Sequence, residues 1–190
     1  MFLPIVAYGD PVLKQVAEDI SSDHPNLKEL LENMYETMYA SHGVGLAAPQ
    51  IGQSIRVFVI DCSPFEEEEP HLAGFKKTFI NAEILEEEGE DWLFKEGCLS
   101  IPEVREEVSR APKITIRYFD EDFVEHTETY EGLAARVIQH EYDHIEGVLF
   151  TDYLSPLRKR MIKRRLEDIR DGKISPEYRM RFYNPKKRKR

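Results

Sequence analysis

The sequence has only two cysteines, one tryptophan and no long apolar run among its 190 residues. No stretch approaches the roughly 18 consecutive apolar residues of a membrane-spanning helix, so we expect no membrane partner. The apolar start at residues 1–6 is too short for a secretory signal, and Asp10 follows soon after it. A transit segment rich in Arg and Ser is also missing. These absences lead us to expect a protein of the cytoplasm.

The two cysteines, Cys62 and Cys98, could form at most one disulfide. In a reducing cytoplasm, so small a number is more typical of free thiols or metal ligands. Cys98 follows Gly97, which permits close approach of another group, and it precedes a rigid turn. Cys62 lies in a loop with no comparable feature. Cys98 is therefore the better candidate ligand.

Charge is divided unevenly along the chain, whose net charge is -10. Residues 156–190 contain fifteen Lys/Arg and four Asp/Glu, a net charge of +11, so residues 1–155 have a net charge of -21. A basic segment of this kind can bind the phosphates of a nucleic acid. It can equally be a solvated helix that pairs with the acidic body, and both alternatives remain open.

Hydrophobic periodicity outlines the secondary structure. A first helix is predicted over residues 27–38, strands at 56–61, 79–85 and 92–95, and a hairpin over 114–130. Residues 63–74 are rich in Glu and predict an exposed loop. A second helix enters from Gly132, and a last helix begins at Ser155 with Leu157, Met161, Leu166 and Ile169 on its apolar stripe. We predict one catalytic domain over residues 1–170 and a basic tail over residues 171–190.

The strongest chemical signal is the H-E-x-x-H motif at residues 140–144. On a helix, His140 and His144 lie on one face and can bind one ion together. Glu141 lies on the adjoining edge, where its carboxylate could move a proton without binding the metal. Two histidines on an ordinary helix remain the alternative until a third ligand is found.

A catalytic metal centre needs a third protein ligand and one open position. Cys98 is the candidate, because a thiolate with two imidazoles is a sensible ligand set for iron(II), zinc, nickel or cobalt. Asp143 is either a surface charge on the helix or a residue that orients a ligating histidine.

Three motifs occur in order: G-φ-G-φ-A-A-x-Q at residues 43–50, E-G-C-φ-S at 96–100 and H-E-x-x-H at 140–144. Together they resemble the motifs of the peptide deformylases, metalloenzymes that remove the formyl group from new bacterial polypeptides. The resemblance covers about residues 3–165. It implies an α+β fold in which antiparallel strands surround a central metal-binding helix, closed by a C-terminal helix.

The resemblance also implies the ligand set and the partners. Cys98, His140 and His144 would bind one divalent ion per chain, with water as the fourth ligand. Iron(II) is the metal that the family most often implies, and zinc, nickel and cobalt remain open. The substrates would be nascent N-formyl-methionyl peptides, which lose formate by hydrolysis.

Three further residues acquire catalytic roles from the resemblance. Glu141 would take a proton from water and pass it to the departing amine, acting as general base and then general acid. The side-chain amide of Gln50 and the backbone N–H of Leu99 would stabilise the negative charge that develops on the formyl oxygen.

The resemblance implies an extended substrate beside the first motif. Backbone contacts are expected at Val44, Gly45 and Gly97, and Arg105 would contact the peptide beyond its methionine. The methionine pocket would draw on Val44, Phe94, Leu133 and Val137. Arg136 fits an apolar pocket wall less well, and we expect it to rim the entrance with its aliphatic stem.

Two other functions fit parts of the sequence. H-E-x-x-H also occurs in metalloproteases, which would not need the Cys98 ligand or the loop at residues 43–50. Alternatively, the protein could bind nucleic acid through its basic end. If the protein is also an enzyme, its basic end leads to the hypothesis that the last helix and tail bind the ribosome. We expect no binding to DNA.

Overall fold

The computed structural model describes residues 1–183, which form three α-helices and nine β-strands. The helices are α1 (Leu27–Ala40), α2 (Gly132–Ile145) and α3 (Pro156–Arg170). The strands are β1 (Ile5–Val6), β2 (Gly45–Ala47), β3 (Val57–Asp61), β4 (Lys76–Glu88), β5 (Trp92–Cys98), β6 (Ile101–Arg110), β7 (Lys113–Phe119), β8 (Glu125–Glu131) and β9 (Met180–Arg181). Within these residues, no helix is both long enough and apolar enough to cross a membrane.

The strands form three sheets. Five of them make an antiparallel sheet in the order β2-β3-β4-β7-β8, β5 and β6 make an antiparallel pair, and β1 pairs in parallel with β9. The predicted α+β class, with its antiparallel strands and C-terminal helix, is confirmed.

The main core lies between α2 and the five-stranded sheet. Phe58 of β3 stacks on Phe79 of β4 with ring centroids 4.7 Å apart, and Tyr118 of β7 packs on Phe79 at 4.3 Å. From the helix side, Ala135 and Ile138 are completely buried in the same cluster. The sheet thereby fixes the helix that bears the H-E-x-x-H motif.

Strand β6 is the long element that sequence periodicity does not predict. From Glu103 onward its side chains alternate between exposed and buried, with Val104, Glu106, Val108 and Arg110 buried. Because two of these four buried positions are charged, the apolar alternation that marks a half-buried strand is interrupted.

Helix α3 packs with only the second half of its predicted apolar stripe. Leu157 and Met161 are exposed at 68% and 65%, so their predicted place on the buried face is wrong. Leu166 and Ile169 are buried, with Ile162 packed beside them. The first half of α3 contacts the body through a charged group instead, since Nε of Arg158 donates to Glu106 of β6 at 2.8 Å.

Part of the segment assigned to a basic tail packs against the body. Strand β9 pairs with β1, where the N–H of Ile5 donates to the Arg179 carbonyl at 2.9 Å. The lysine- and arginine-rich end at residues 186–190 lies outside the described residues.

Candidate metal centre

Helix α2 places His140 and His144 one turn apart, and the end of β5 places Cys98 against them. One potential ligand atom from each of the three residues lies within 4.8 Å of the other two. The Sγ atom of Cys98 is 3.3 Å from Nε2 of His144. The other cysteine, Cys62, is completely buried in the main core and has no place in this cluster.

The position of Cys98 depends on an irregularity in the β5–β6 pair. Gly97 pairs with Arg105, but the next residue, Cys98, pairs with Ile101, so the register shifts between them. The chain then turns through Leu99 and Ser100. This tight turn aims the thiol at α2 and away from the sheet.

The three side chains suit a divalent ion. One thiol and two imidazoles form the ligand set that iron(II), zinc, nickel and cobalt accept, and three protein ligands leave one position for water. Beside them, Oε2 of Glu141 is buried and has no hydrogen-bond partner among the described residues. An unpaired buried carboxylate oxygen next to the ligand cluster is suited to bind such a water.

Glu141 is held against the first motif. A Cβ atom at Gly45 would come within 2.7 Å of the Glu141 carboxylate carbon, so only glycine permits this approach. Burial raises the pKa of Glu141 to about 7. A carboxyl group with a pKa near neutrality is suited to exchange protons during a reaction.

Gln50 lies beside Cys98 and is almost completely buried. Its Oε1 accepts a hydrogen bond from the Ala47 N–H at 2.9 Å, which fixes the direction of the amide. Its Nε2 lies 3.4 Å from both the Cys98 Sγ and the Ser100 Oγ. The amide N–H groups therefore point into the site.

A buried network that the sequence did not reveal stands behind His140. The Nδ1 atom of His140 lies 2.9 Å from Glu96, which fixes the ring and leaves Nε2 for the ligand cluster. Arg110 donates to both oxygens of Glu96, at 2.7 and 3.0 Å, and to Asp143 at 2.8 Å. Burial opposes ionisation, but the hydrogen bonds from His140 and Arg110 hold the pKa of the Glu96 carboxyl well below its usual range.

Arg136 belongs to the same network, and its predicted place at the pocket entrance is wrong. Only 2% of its surface is exposed. It donates to Glu96 at 3.0 Å and to the Trp92 carbonyl at 2.7 Å, and its guanidinium lies 4.6 Å from the Trp92 ring centroid. Burial is possible because Glu96 supplies the opposite charge.

The residues predicted to contact substrate lie on β2, β5, β6 and α2 or next to these elements. Strand β2, with Gly45, is the terminal strand of the sheet, so one of its edges is without a strand partner among residues 1–183. Leu133 and Val137 are buried on α2 in the main core, and Val44 and Phe94 are partly buried and pack against that core. Arg105 is exposed next to Gly97.

The acidic loop supplies the cap of α2. Glu131, the residue before the helix, makes no capping bond, but Oε1 of Glu69 accepts from the Leu133 N–H at 3.0 Å. The loop is anchored by Leu72, which is completely buried, so the predicted exposed loop is only partly exposed. Sixty-four residues separate Glu69 from Leu133, and no local pattern could have predicted the contact.

Comparison with known proteins reveals extensive similarity. Residues 2–160 match the family described as "Polypeptide deformylase". The chain is 61% identical to the peptide deformylase of Flavobacterium johnsoniae, over 98% of this chain and 99% of that protein. It is 53% identical to the peptide deformylase of Cytophaga hutchinsonii, over 96% of this chain and 98% of that protein.

Solved structures give the same result. A peptide deformylase from Legionella pneumophila superposes with a TM-score of 0.79 at 37% identity, covering 91% of this chain and 98% of that one. A peptide deformylase from Thermotoga maritima superposes with a TM-score of 0.74 at 42% identity, covering 82% of this chain and 99% of that one. The similarity therefore extends across sequence and fold together.

Proposed function

The chain belongs to the peptide deformylase family of metal-dependent hydrolases, and on that premise we propose that Cys98, His140 and His144 bind its divalent ion. Peptide deformylases act on nascent formyl-methionyl peptides. The match of residues 2–160 to this family favours that reaction over the metalloprotease alternative. The observation that supports the ligand assignment is the convergence of one thiol and two imidazoles within 4.8 Å.

Cys98, His140 and His144 would hold a divalent ion, which would supply a more acidic water molecule, with a pKa lowered from nearly 16 towards about 7. Glu141 accepts the proton that this water loses as it attacks the formyl carbon. The carboxyl then donates the proton to the departing amine, so that formate and a free N-terminus are produced. Its pKa of about 7 suits both directions of transfer.

Gln50 and Leu99 stabilise the charge that develops on the formyl oxygen. The amide of Gln50 is held in place by the Ala47 N–H, so it needs no reorganisation during the reaction. The Leu99 N–H supplies the second donor. Loss of a donor of this kind costs about 3 kcal/mol of transition-state stabilisation.

The substrate extends along the free edge of β2, where Val44 and Gly45 form backbone hydrogen bonds with it, as in strand addition. Gly97 approaches it from β5, and Arg105 contacts the residues beyond the methionine. The methionine side chain enters a pocket formed by Val44, Phe94, Leu133 and Val137. The apolar character of these four side chains supports this assignment.

The experiment that tests this function is formate release from an N-formyl-methionyl peptide by protein purified without oxygen, together with metal analysis. Cys98→Ala should lose both the ion and the activity, whereas the matched variant Cys62→Ala should retain one ion per chain. Retention of metal and activity by Cys98→Ala would contradict the ligand assignment.

Iron(II) is the metal that we propose for the cell. An iron-bound thiolate is sensitive to oxidation, so activity should decline in air. Replacement of the iron by nickel or zinc should give protein whose activity is stable in air. Equal stability of the iron and zinc forms would argue against iron.

We also propose that the protein works in the cytoplasm and approaches the ribosome through α3. Arg160, Lys163 and Arg164 are exposed on this helix beside the exposed Leu157 and Met161. Deletion of the whole segment is a poor test, because Leu166, Ile169 and β9 are packed on the body.

Charge reversal of the exposed residues is a better test of this partner. Arg160→Glu with Arg164→Glu should abolish salt-sensitive co-sedimentation with ribosomes and leave hydrolysis of free peptides intact. Unchanged co-sedimentation would exclude α3 as the contact. Cell fractionation would test the location.

A further inference from the structure

The chain beyond α3 returns to the turn that connects β5 and β6. This part of the chain, residues 173–183, lies outside the stretch that matches the family, which ends at residue 160. The hydroxyl of Tyr178 nevertheless donates a hydrogen bond to the Leu99 carbonyl at 2.7 Å. A residue remote in sequence thus contacts the backbone between the ligand Cys98 and β6.

The returning segment is anchored immediately after Tyr178. The N–H groups of Ile5 and Ala7 donate to the carbonyls of Arg179 and Arg181, each at 2.9 Å. Tyr178 itself packs against the cluster that includes α1 and β2. These contacts hold the phenol ring in the position from which its hydroxyl donates to the Leu99 carbonyl.

The same N-terminal strand leads to a second bond to the turn. Just after β1, the Tyr8 N–H donates to the Ser100 carbonyl at 2.9 Å. The two consecutive carbonyls of Leu99 and Ser100 are thus held by two different parts of the chain. Among residues 1–183, the Leu99 N–H has no acceptor of its own, which leaves it available for a ligand.

A hydrogen-bond donor stabilises a developing charge only where it is already aimed, and a misplacement of about 1 Å can reduce a rate by about 10²-fold. The strand register shifts just before this short turn, which is closed by the Cys98–Ile101 pair. The bonds from Tyr178 and Tyr8 to the Leu99 and Ser100 carbonyls add further restraint to the Leu99 peptide.

We propose that the C-terminal segment of residues 173–183 is part of the active site, with Tyr178 as a positioning residue that fixes the Leu99 N–H. The proposal rests on the proposed function, in which this N–H binds the formyl oxygen. Tyr178 itself does not touch the substrate.

The first test is Tyr178→Phe, which removes the hydroxyl and keeps the ring. Tyr39→Phe is the matched control, since it removes a hydroxyl that donates to Asp61 at 2.6 Å. We expect kcat for a formyl-methionyl peptide to fall about tenfold in Tyr178→Phe, with KM little changed. Tyr39→Phe should retain the kcat of the unchanged protein, and the Tm values of the two variants should be similar.

The second test measures position without catalysis. In metal-free protein, 15N relaxation should give an order parameter for the Leu99 amide that falls from about 0.85 towards 0.6 in Tyr178→Phe. It should stay unchanged in Tyr39→Phe. An unchanged order parameter in Tyr178→Phe, or an equal fall in kcat in both variants, would overturn the proposal.

The two tests also separate this proposal from the proposed function. If the unchanged protein released no formate, the proposed function would fail, yet the relaxation measurement would still show whether Tyr178 orders the turn. Normal formate release together with an unaffected Leu99 amide in Tyr178→Phe would refute only the positioning role.

Discussion

Helices α2 and α3 have nearly the same length but are stabilised in different ways. Eleven of the 14 residues of α2 are buried, whereas only Leu166 and Ile169 are buried among the 15 residues of α3. The N-terminus of α3 is capped by its own Ser155, whose hydroxyl accepts from the Arg158 N–H. That of α2 is capped by Glu69, from a distant loop.

Charged residues also have different meanings in the two helices. In α2, Arg136, Glu141 and Asp143 are buried, and their surroundings are set by neighbouring strands. In α3, Lys163 and Glu167 form an exposed pair 3.9 Å apart. The comparison teaches that a similar helical charge pattern can mark either a catalytic interior or a solvated surface, depending on what packs against it.

The largest difference should appear in catalysis. Glu141→Gln, which keeps the size of the side chain but removes its proton-transfer capacity, should lower kcat by about 10²–10⁴-fold. Met161→Gln, on the exposed side of α3, should leave hydrolysis of a free formyl peptide unchanged. Steady-state kinetics on both variants at equal metal content provides the measurement. Comparable losses of kcat in the two variants would show that α2 and α3 do not differ in their contribution to catalysis.

The next effect concerns buried and exposed ion pairs. Arg110→Met leaves Glu96 and Asp143 without their shared partner in the interior. We expect the free energy of unfolding to fall by about 3–5 kcal/mol, because the carboxylates remain buried. Denaturant unfolding of the metal-free protein measures this change in the free energy of unfolding.

Arg165→Met is the matched control, since Arg165 pairs with the exposed Glu103 next to α3. It should cost about 0–1 kcal/mol. A small cost for Arg110→Met would mean that Glu96 and Asp143 find other partners or become neutral.

The two helix caps should have similar, smaller effects on stability but different effects on function. Glu69→Ala and Ser155→Ala should each lower the free energy of unfolding by about 1 kcal/mol. Only Glu69→Ala should also raise KM, because Leu133 at the start of α2 belongs to the proposed pocket. Glu69→Gln retains a hydrogen-bond acceptor, so its free energy of unfolding and its KM should lie between those of Glu69→Ala and those of the unchanged protein. A KM unaffected by Glu69→Ala would limit the loop to a structural role.

The smallest expected effect is on the pH dependence of stability. It involves Tyr153, whose hydroxyl bonds to Asp143 of α2. Burial, reinforced by the charge of Asp143, raises the pKa of Tyr153 to about 12. The folded state therefore holds this proton more tightly than the unfolded state, whose tyrosine pKa is about 10. The stabilisation is fully present below about pH 10 and is lost as pH rises towards 12.

Unfolding of the unchanged protein and of Tyr153→Phe between about pH 9 and 12 would measure this contribution. The unchanged protein should lose stability more steeply with rising pH. Parallel curves would show that the Tyr153 hydroxyl, which donates to Asp143 at 3.0 Å, does not couple α2 to alkaline pH.

Much of the site could be predicted from the sequence because its candidate ligands belong to short motifs. The i, i+4 spacing of His140 and His144 sets their geometry by helical rise alone, and Cys98 is recognisable from its neighbours. The network of Glu96, Arg110 and Arg136 was not accessible, because buried charges in β6 and α2 resemble surface charges until their partners are known.

The sequence by itself determined the family and the residues that converge as candidate ligands, because short motifs depend on nearby residues, and the resemblance to the family implied the α+β class. Only the tertiary structure decided which half of the α3 apolar stripe is buried, what caps α2 and what holds the turn at Leu99. Glu69 and Tyr178 make those contacts across 64 and 79 residues, respectively. Contacts of that separation depend on how the whole chain closes, and no local pattern encodes them.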